Sequence, residues 1–381
     1  MRTRLIVVLS LILLAAGAAA PVAASTGTNT TTYSTSTTCS FPFTTTDATG
    51  TQVTVPQDPQ RVVTLNPSAA QIMWEIGGKS KVVGVSQYAA YLDGASSRTN
   101  ISGSGNAYVD EEKVINLKPD LVLAPNTIPN STVQKLRQAN LTVYRYRAAA
   151  SLTDIENQTR LTGKLTGECS GAQQTASHMQ TQLETVHKAV NGSKRPRVLY
   201  TFFGYTAGNG TFINQIITAA GGDNVAADAG ISGYKKISKE TIINQNPQWI
   251  IRNDQQPTVP HNQAYNSTDA VKHGNVVVLN RNYISQPAPR VIQPITKLAK
   301  TLHPQAYADA NATQETSANA STTLATTNTT QTATANASTS ATSTSTTAQG
   351  TTSANTPGFG IGVAIIGLLS ALAVIALRKD A

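Results

Sequence analysis

Charge is scarce in this sequence. Only 13% of its 381 residues are charged, and 29 Lys and Arg against 20 Asp and Glu leave a net charge of +9. The basic residues form no dense patch interleaved with aromatics, which argues against a nucleic-acid partner. At this density, mild basicity is a matter of solubility. Cysteine is nearly absent: Cys39 and Cys169 are the two thiols, too few for a structural zinc site. Catalytic signatures are missing as well. There is no HExxH, no GxSxG, no Walker loop and no paired carboxylates at a strand end. His178 and His187 lie in one helical pattern at a spacing that keeps them apart, and His261, His273 and His303 are isolated. The sequence therefore reads as a protein that is not an enzyme, with no intrinsic cofactor and no metal site.

Long apolar runs occur only at the two ends. Arg2 and Arg4 precede an apolar run from Leu5 to Leu14 and then small residues to Ala24, the layout of a signal peptide over residues 1–24. The run is too short to span a bilayer, although a retained signal anchor is the alternative. From Phe359 to Leu377 a second run is just long enough to cross a membrane, and Arg378 and Lys379 after it are expected to stay in the cytoplasm. The rest of the chain is then outside the cell, held by its tail. Outside the cell, Cys39 and Cys169 are expected to form one disulfide. Asn-x-Ser/Thr sequons at Asn100, Asn130, Asn140, Asn157, Asn191, Asn209 and Asn266 are candidate glycan acceptors, although such triplets also arise by chance in Asn/Thr-rich sequence.

Between the ends, composition divides the chain. Residues 305–356 are almost all Ala, Ser, Thr, Asn and Gln and cannot bury enough apolar surface to offset their ordering entropy. They read as a Ser/Thr-rich stalk before a C-terminal segment over 357–381. Residues 25–50 are expected to be an N-terminal linker. In the remainder, β-branched runs alternate with helical patterns. Strands are predicted over 61–65, 81–85, 120–124 and 141–146, and again over 197–203, 248–252 and 275–279, an α/β arrangement. Asn66 can cap the first helix, Pro67 occupies its first position and Gly77-Gly78 stops it. Thr211 and Gly221-Gly222 bound a second such helix.

The two strand sets repeat one another. Gln71-Ile72 leads into Gly77-Gly78 at the spacing by which Gln215-Ile216 leads into Gly221-Gly222, and EKVINLKPDLVL from Glu112 matches ETIINQNPQWII from Glu240. This predicts an N-terminal lobe over 51–150 and a C-terminal lobe over 195–304, each with its own sheet. Residues 151–194 lack proline, and Ala172, Ala176, Met179, Leu183, Val186 and Val190 form a stripe on one helical face. They predict a linking helix of roughly 60 Å that bridges both lobes like a rod, with a break near Gly167 as the alternative. A coiled coil lacks the e/g charges it needs.

Ligands of α/β sheets bind beyond the carboxyl ends of strands, and between two lobes those ends face one cleft. The loops there are rich in Tyr, Asn and Gly. Asn66, Ser68, Tyr88, Tyr91, Asn126, Phe203, Tyr205, Tyr234 and Tyr283 are the candidate ligand contacts, a lining suited to a large, partly apolar, planar molecule. Loop tyrosines are also ordinary surface residues. Glu112 and Glu240, at equivalent places in the repeats, would form a symmetric pair of exposed carboxylates for a two-fold partner; a solvated helix face is the alternative.

RVVTLNPSAAQIMWEIGGKSKVVGVSQY, EKVINLKPDLVLAP, GTFINQIITAAGGDNVAADAG and NYISQPAPRVIQPITKLAKTLHP resemble, in that order, the cobalamin and iron-siderophore class of ABC-transporter binding proteins, over Thr51 to Pro304. The resemblance implies two Rossmann-like lobes joined by one long backbone helix, with a ligand in the cleft. It implies that Glu112 and Glu240 dock the protein onto arginines of an ABC permease dimer, which works with an ATPase. Tyr91 and Tyr234 match aromatic cleft positions of cobalamin-binding members, while Pro125 replaces an aromatic. The implied ligand is cobalamin or a related corrinoid, with an iron siderophore or haem as the alternative. The tail around Pro357-Gly358-Phe359 resembles the archaeal C-terminal sorting signal, which an archaeosortase cuts and replaces with a lipid. Two other readings compete. A chelatase-like enzyme would need Cys or His in the cleft, and a structural or adhesive surface glycoprotein would leave the paired motifs without a purpose.

Overall fold

The computed structural model describes residues 38–104 and 108–313. The expected signal peptide, the stalk beyond residue 313 and the C-terminal segment lie outside the described residues. The folded part begins with an antiparallel hairpin, β1 (Phe43–Thr46) and β2 (Gln52–Val55). The first lobe follows as β3 (Val62–Thr64), α1 (Pro67–Glu75), β4 (Val82–Val85), β5 (Thr99–Asn100), α2 (Glu111–Asn116), β6 (Leu121–Ala124), α3 (Asn130–Gln138) and β7 (Val143–Arg145). Its five strands are all parallel, in the order β5-β4-β3-β6-β7. Val62, Val63, Leu121, Val122, Leu123 and Ala124 are buried whichever way they point. That is the near-continuous apolar run expected of parallel strands covered on both faces.

Two helices connect the lobes, α4 (Leu152–Thr166) and α5 (Cys169–Val190). The second lobe comprises β8 (Arg197–Tyr200), β9 (Tyr205–Ala207), α6 (Phe212–Ala219), β10 (Asp223–Asn224), α7 (Val225–Asp228), β11 (Tyr234–Lys236), α8 (Lys239–Gln245), β12 (Trp249–Asn253), α9 (Gln263–Asn266), α10 (Asp269–Lys272), β13 (Val276–Leu279), α11 (Arg281–Ile284) and α12 (Ile292–Leu302). Its parallel sheet runs β10-β8-β12-β13, and β9 and β11 form a separate antiparallel ribbon. In each sheet the strand order reverses beside the first strand, between β3 and β6 and between β8 and β12. Those switch points are where α/β sheets open a crevice.

The predicted caps form as read. Asn66 accepts from Ser68 N–H at the start of α1 with Pro67 at its first position, and Gly77 follows with φ +88°. Thr211 caps α6, and Gly221 takes φ +82° beyond it. The expected single 60 Å rod does not form. Gly167 ends α4 at φ +77°, and α5 turns back beside it, with Arg160 of α4 bonded to Gln173 of α5. A side chain at Gly167 would meet the carboxylate of Asp58, one at Gly163 would meet Ala172, and one at Gly171 would strike the Ile76 carbonyl. The three glycines therefore serve one turn and two close approaches. Ile155 at the start of α4 packs in the second lobe's core and Leu165 at its end packs in the first. α5 runs the other way, from Ala172 in the first core to Met179, Val186 and Val190 in the second. With 22 residues it is about 33 Å long. It is the backbone helix, and α4 doubles it into an antiparallel strut.

The disulfide joins Cys39 to Cys169 with Cα atoms 5.5 Å apart, pinning the segment before β1 to the head of α5. The folded part is longer than expected at both ends. The region expected as a linker over 25–50 holds β1, and residues 304–313, expected to open the stalk, are helical, with Tyr307 buried in the second core. Composition missed both, because Thr-rich sequence serves an edge hairpin as well as a linker, and the helix over 304–313 is held to the core by little more than Tyr307 and Ala310.

Candidate ligand cleft

The carboxyl ends of the strands of both lobes deliver the loops singled out above. After β3, Asn66 is fully engaged: its Oδ1 accepts from Ser68 N–H at 2.9 Å and Ser68 O–H at 3.1 Å, and its Nδ2 donates to Thr127 Oγ1 at 2.9 Å. Asn66 thus fixes the loop at the switch point of the first sheet. Ser68 and Asn126 come together there with Arg147 and Pro287 around a void of about 10 Å³, so these loops pack closely at the cleft floor. After β4, Tyr88 lies 6.3 Å from Tyr108, a partner in its own lobe. Tyr91 instead crosses to the second lobe, meeting Tyr283 edge-on at 6.3 Å between ring centroids.

In the second lobe Phe203 follows β8 with φ +48° and is 62% exposed. It meets Phe202 edge-on at 4.7 Å between ring centroids and lines a hollow of about 510 Å³ with Ile237, Ile242, Pro257 and Tyr265. On the β9–β11 ribbon, Tyr234 pairs with Ala207 and Lys236 with Tyr205. Residues two apart on a strand share a face, so Tyr205, Tyr234 and Lys236 stand together. Lys236 Nζ lies 5.9 Å from the Tyr205 ring. Burial pushes the Tyr91 phenol up to about 12 and raises those of Tyr108, Tyr200 and Tyr234. These hydroxyls stay protonated near neutral pH, so the aromatic lining is uncharged.

Tyr91 and Tyr283 are therefore brought together across the lobes, and Ser68 and Asn126 share the floor. Tyr88, Phe203, Tyr205 and Tyr234 each stand among partners of their own lobe. Several residues about the cleft carry no local signal in sequence. Gln256 is 3% exposed and accepts from Phe203 N–H at 2.7 Å. Tyr200 receives a bond from Asn253, and Arg290 ion-pairs with Glu75 at 2.7 Å. The Gln71 repeat was legible, but its partners were not.

Glu112 and Glu240 are the second residues of α2 and α8, behind the caps Asp110 and Ser238, and both are exposed. Hydrogen bonds from its own backbone N–H and from Ser238 hold the Glu240 carboxyl below its usual value. Both helices lead into the strand next to the first strand of their sheet, so the carboxylates occupy matching positions.

A family model described as periplasmic binding protein matches residues 62–283, more than half of the chain and both lobes. The chain belongs to the periplasmic binding protein family. This is a solute-binding family, not a catalytic one. Its relatives include a cobalamin-binding protein of Halobacterium salinarum, 45% identical over 276 residues that cover 69% of this chain and 75% of the relative. Among solved structures, the periplasmic vitamin B12 binding protein of Vibrio cholerae superposes with a TM-score of 0.57 at 24% identity, covering 65% of this chain and 98% of that one. The periplasmic heme-binding protein of Roseiflexus sp. RS-1 gives 0.57 at 23% identity, covering 65% and 99%. At these identities the two structures speak for the two-lobed fold alone. Residues 356–379 match the PGF-CTERM motif, which marks C-terminal anchoring at the cell surface and accords with the expected sorting signal. Among the described residues no helix is long and apolar enough to cross a membrane.

Proposed function

We propose that this chain is the cell-surface solute-binding subunit of an ABC importer and that its solute is cobalamin or a related corrinoid. The observation that carries the reading is the 45% identity to a cobalamin-binding protein along both lobes. The cleft supports it. A corrinoid is large, with an extended macrocycle edged by amides, and an uncharged aromatic lining with scattered amide groups suits such a surface. Ser68, Tyr88, Tyr91, Asn126 and Tyr283 would contact it from the floor and the first lobe, and Phe203, Tyr205 and Tyr234 from the second, with Asn66 holding the floor loop. Glu112 and Glu240 would dock the loaded protein onto a permease dimer driven by its ATPase, and an archaeosortase would process the tail.

The test is titration of the purified protein with cyanocobalamin, ferric haem and a ferric siderophore, followed by calorimetry and by the visible spectrum of the ligand. Cyanocobalamin is expected to bind with a dissociation constant well below micromolar, without turnover. Selective binding of haem or the iron chelate would overturn the corrinoid assignment and leave the importer role standing.

A further inference from the structure

Gln71 and Gln215, which mark the two lobes in sequence, share a further property in space. Each sits near the middle of its lobe's capped helix, α1 or α6. Each also bonds the backbone of a segment that passes between the lobes. Gln71 Oε1 accepts from Arg290 N–H at 2.9 Å, and Gln215 Nε2 donates to the Ala150 carbonyl. Gln71 is fully buried. Because a backbone N–H can only donate, its amide has one orientation, with Nε2 directed to Tyr91 Oη at 2.8 Å.

The contacts close into a ring. Arg290 Nε donates to Glu75 Oε1 at 2.7 Å, one turn along α1 from Gln71. The Arg290 guanidinium carbon lies 5.6 Å from the Tyr283 ring centroid, and Tyr283 meets Tyr91 edge-on. The Glu75 carbonyl accepts from Thr175 Oγ1 of α5 at 2.9 Å, which ties the ring to the strut. Gln71 is the buried centre of this network with both ends of its amide paired, and such a centre specifies one arrangement, because a displaced partner leaves it unsatisfied.

We propose that Gln71 and Arg290 are positioning residues for the ligand site. They hold Tyr91 of the first lobe against Tyr283 of the second and so set the lobe spacing at the cleft floor, with Gln215 doing the same at Ala150. The proposal rests on the reading of the cleft as the ligand site.

Gln71→Leu removes both bonds of the amide. Gln71→Glu keeps the shape and the acceptor for Arg290 N–H, and because burial beside Glu75 keeps its carboxyl protonated it also keeps a donor for Tyr91 Oη. In the full chain, Gln71→Leu is expected to weaken cyanocobalamin binding at least tenfold, mainly through faster dissociation, and Gln71→Glu to stay within threefold of wild type. Adding Tyr91→Phe to Gln71→Leu should cost no more than the worse single change. Without ligand, the near-ultraviolet circular dichroism of the tyrosines should fall in Gln71→Leu and return in Gln71→Glu. Wild-type affinity with an unchanged tyrosine signal in Gln71→Leu overturns the proposal, as does a Gln71→Glu protein as impaired as Gln71→Leu. If Gln71→Leu does not fold, Glu75→Gln, at the partly exposed rim, carries the same two expectations. A wild-type protein that binds no corrinoid sinks the functional reading alone, because the ligand-free tyrosine signal still decides the clasp.

Discussion

Phe203 is the residue whose local chemistry argues most directly for a ligand. It sits at φ +48° ahead of Gly204 at φ +82°, in the tight turn that lets Phe202 pair with Tyr205. Consecutive positive φ values favour Asn or Gly, and a bulky L-residue there costs roughly 1 kcal/mol. The residue is mostly exposed, so burial does not offset that cost. Gln256, itself buried, holds the Phe203 N–H and keeps the turn in place. Backbone and solvent both disfavour phenylalanine here, an arrangement that fits the proposed contact with the ligand. Phe203→Asn is therefore expected to stabilise the fold by roughly 0.5–1 kcal/mol and to weaken cyanocobalamin binding about tenfold, or ~1.4 kcal/mol. Thermal unfolding and a binding titration on one preparation would check both. A variant that gains stability and keeps full affinity would remove Phe203 from the site.

At the scale of elements, the helical strut is the part the sequence left most open. The apolar stripe from Ala172 to Val190 is continuous, and glycines four apart fit equally well a helix packed closely on another chain segment or a break. What decides is non-local. Glu168, beside the turn, pairs with Lys81, and Lys81 pairs with Asp58, two residues that precede the strands of the first sheet. The seven main strands were legible because β-branched runs bounded by turn residues carry their own signal. The two-residue β5 and β10, and the ribbon whose strands lie far apart in sequence, have no period to read. The same divide runs through the cleft. Tyrosines at strand ends were legible by position, whereas Gln256 and Arg290 act through contacts with distant segments. The disulfide tests the strut directly. It closes a separation of 130 residues at the amino end of the first sheet, away from the cleft. Replacing Cys39 and Cys169 by Ala is expected to cost about 2–5 kcal/mol of stability and to leave cyanocobalamin affinity within twofold. Denaturant unfolding and titration of the double variant measure both, and an affinity that falls with the disulfide would mean the strut's far end governs the cleft.

At the scale of the whole molecule, the repeat places one carboxylate on each lobe in a matching position. Within the first pair of acidic residues the roles differ. Glu111 accepts from Thr132 and ion-pairs with Lys135 at 3.6 Å, while its neighbour Glu112 is exposed at the helix start. Glu240 is likewise exposed and ionised, with Ser238 bonded to its carboxylate. Two surface charges related by the lobe repeat would suit a partner that is itself two-fold, and in the proposed docking role they would act on the permease rather than on ligand capture. Glu112→Ala combined with Glu240→Ala is therefore expected to leave cyanocobalamin affinity within twofold and the unfolding temperature close to wild type, yet abolish corrinoid uptake by whole cells. Each single change should reduce uptake only in part, since one contact remains. Uptake that survives the double change would detach the carboxylates from the permease. A loss of ligand affinity would place them in the cleft's own energetics, which their exposure on the helix starts argues against.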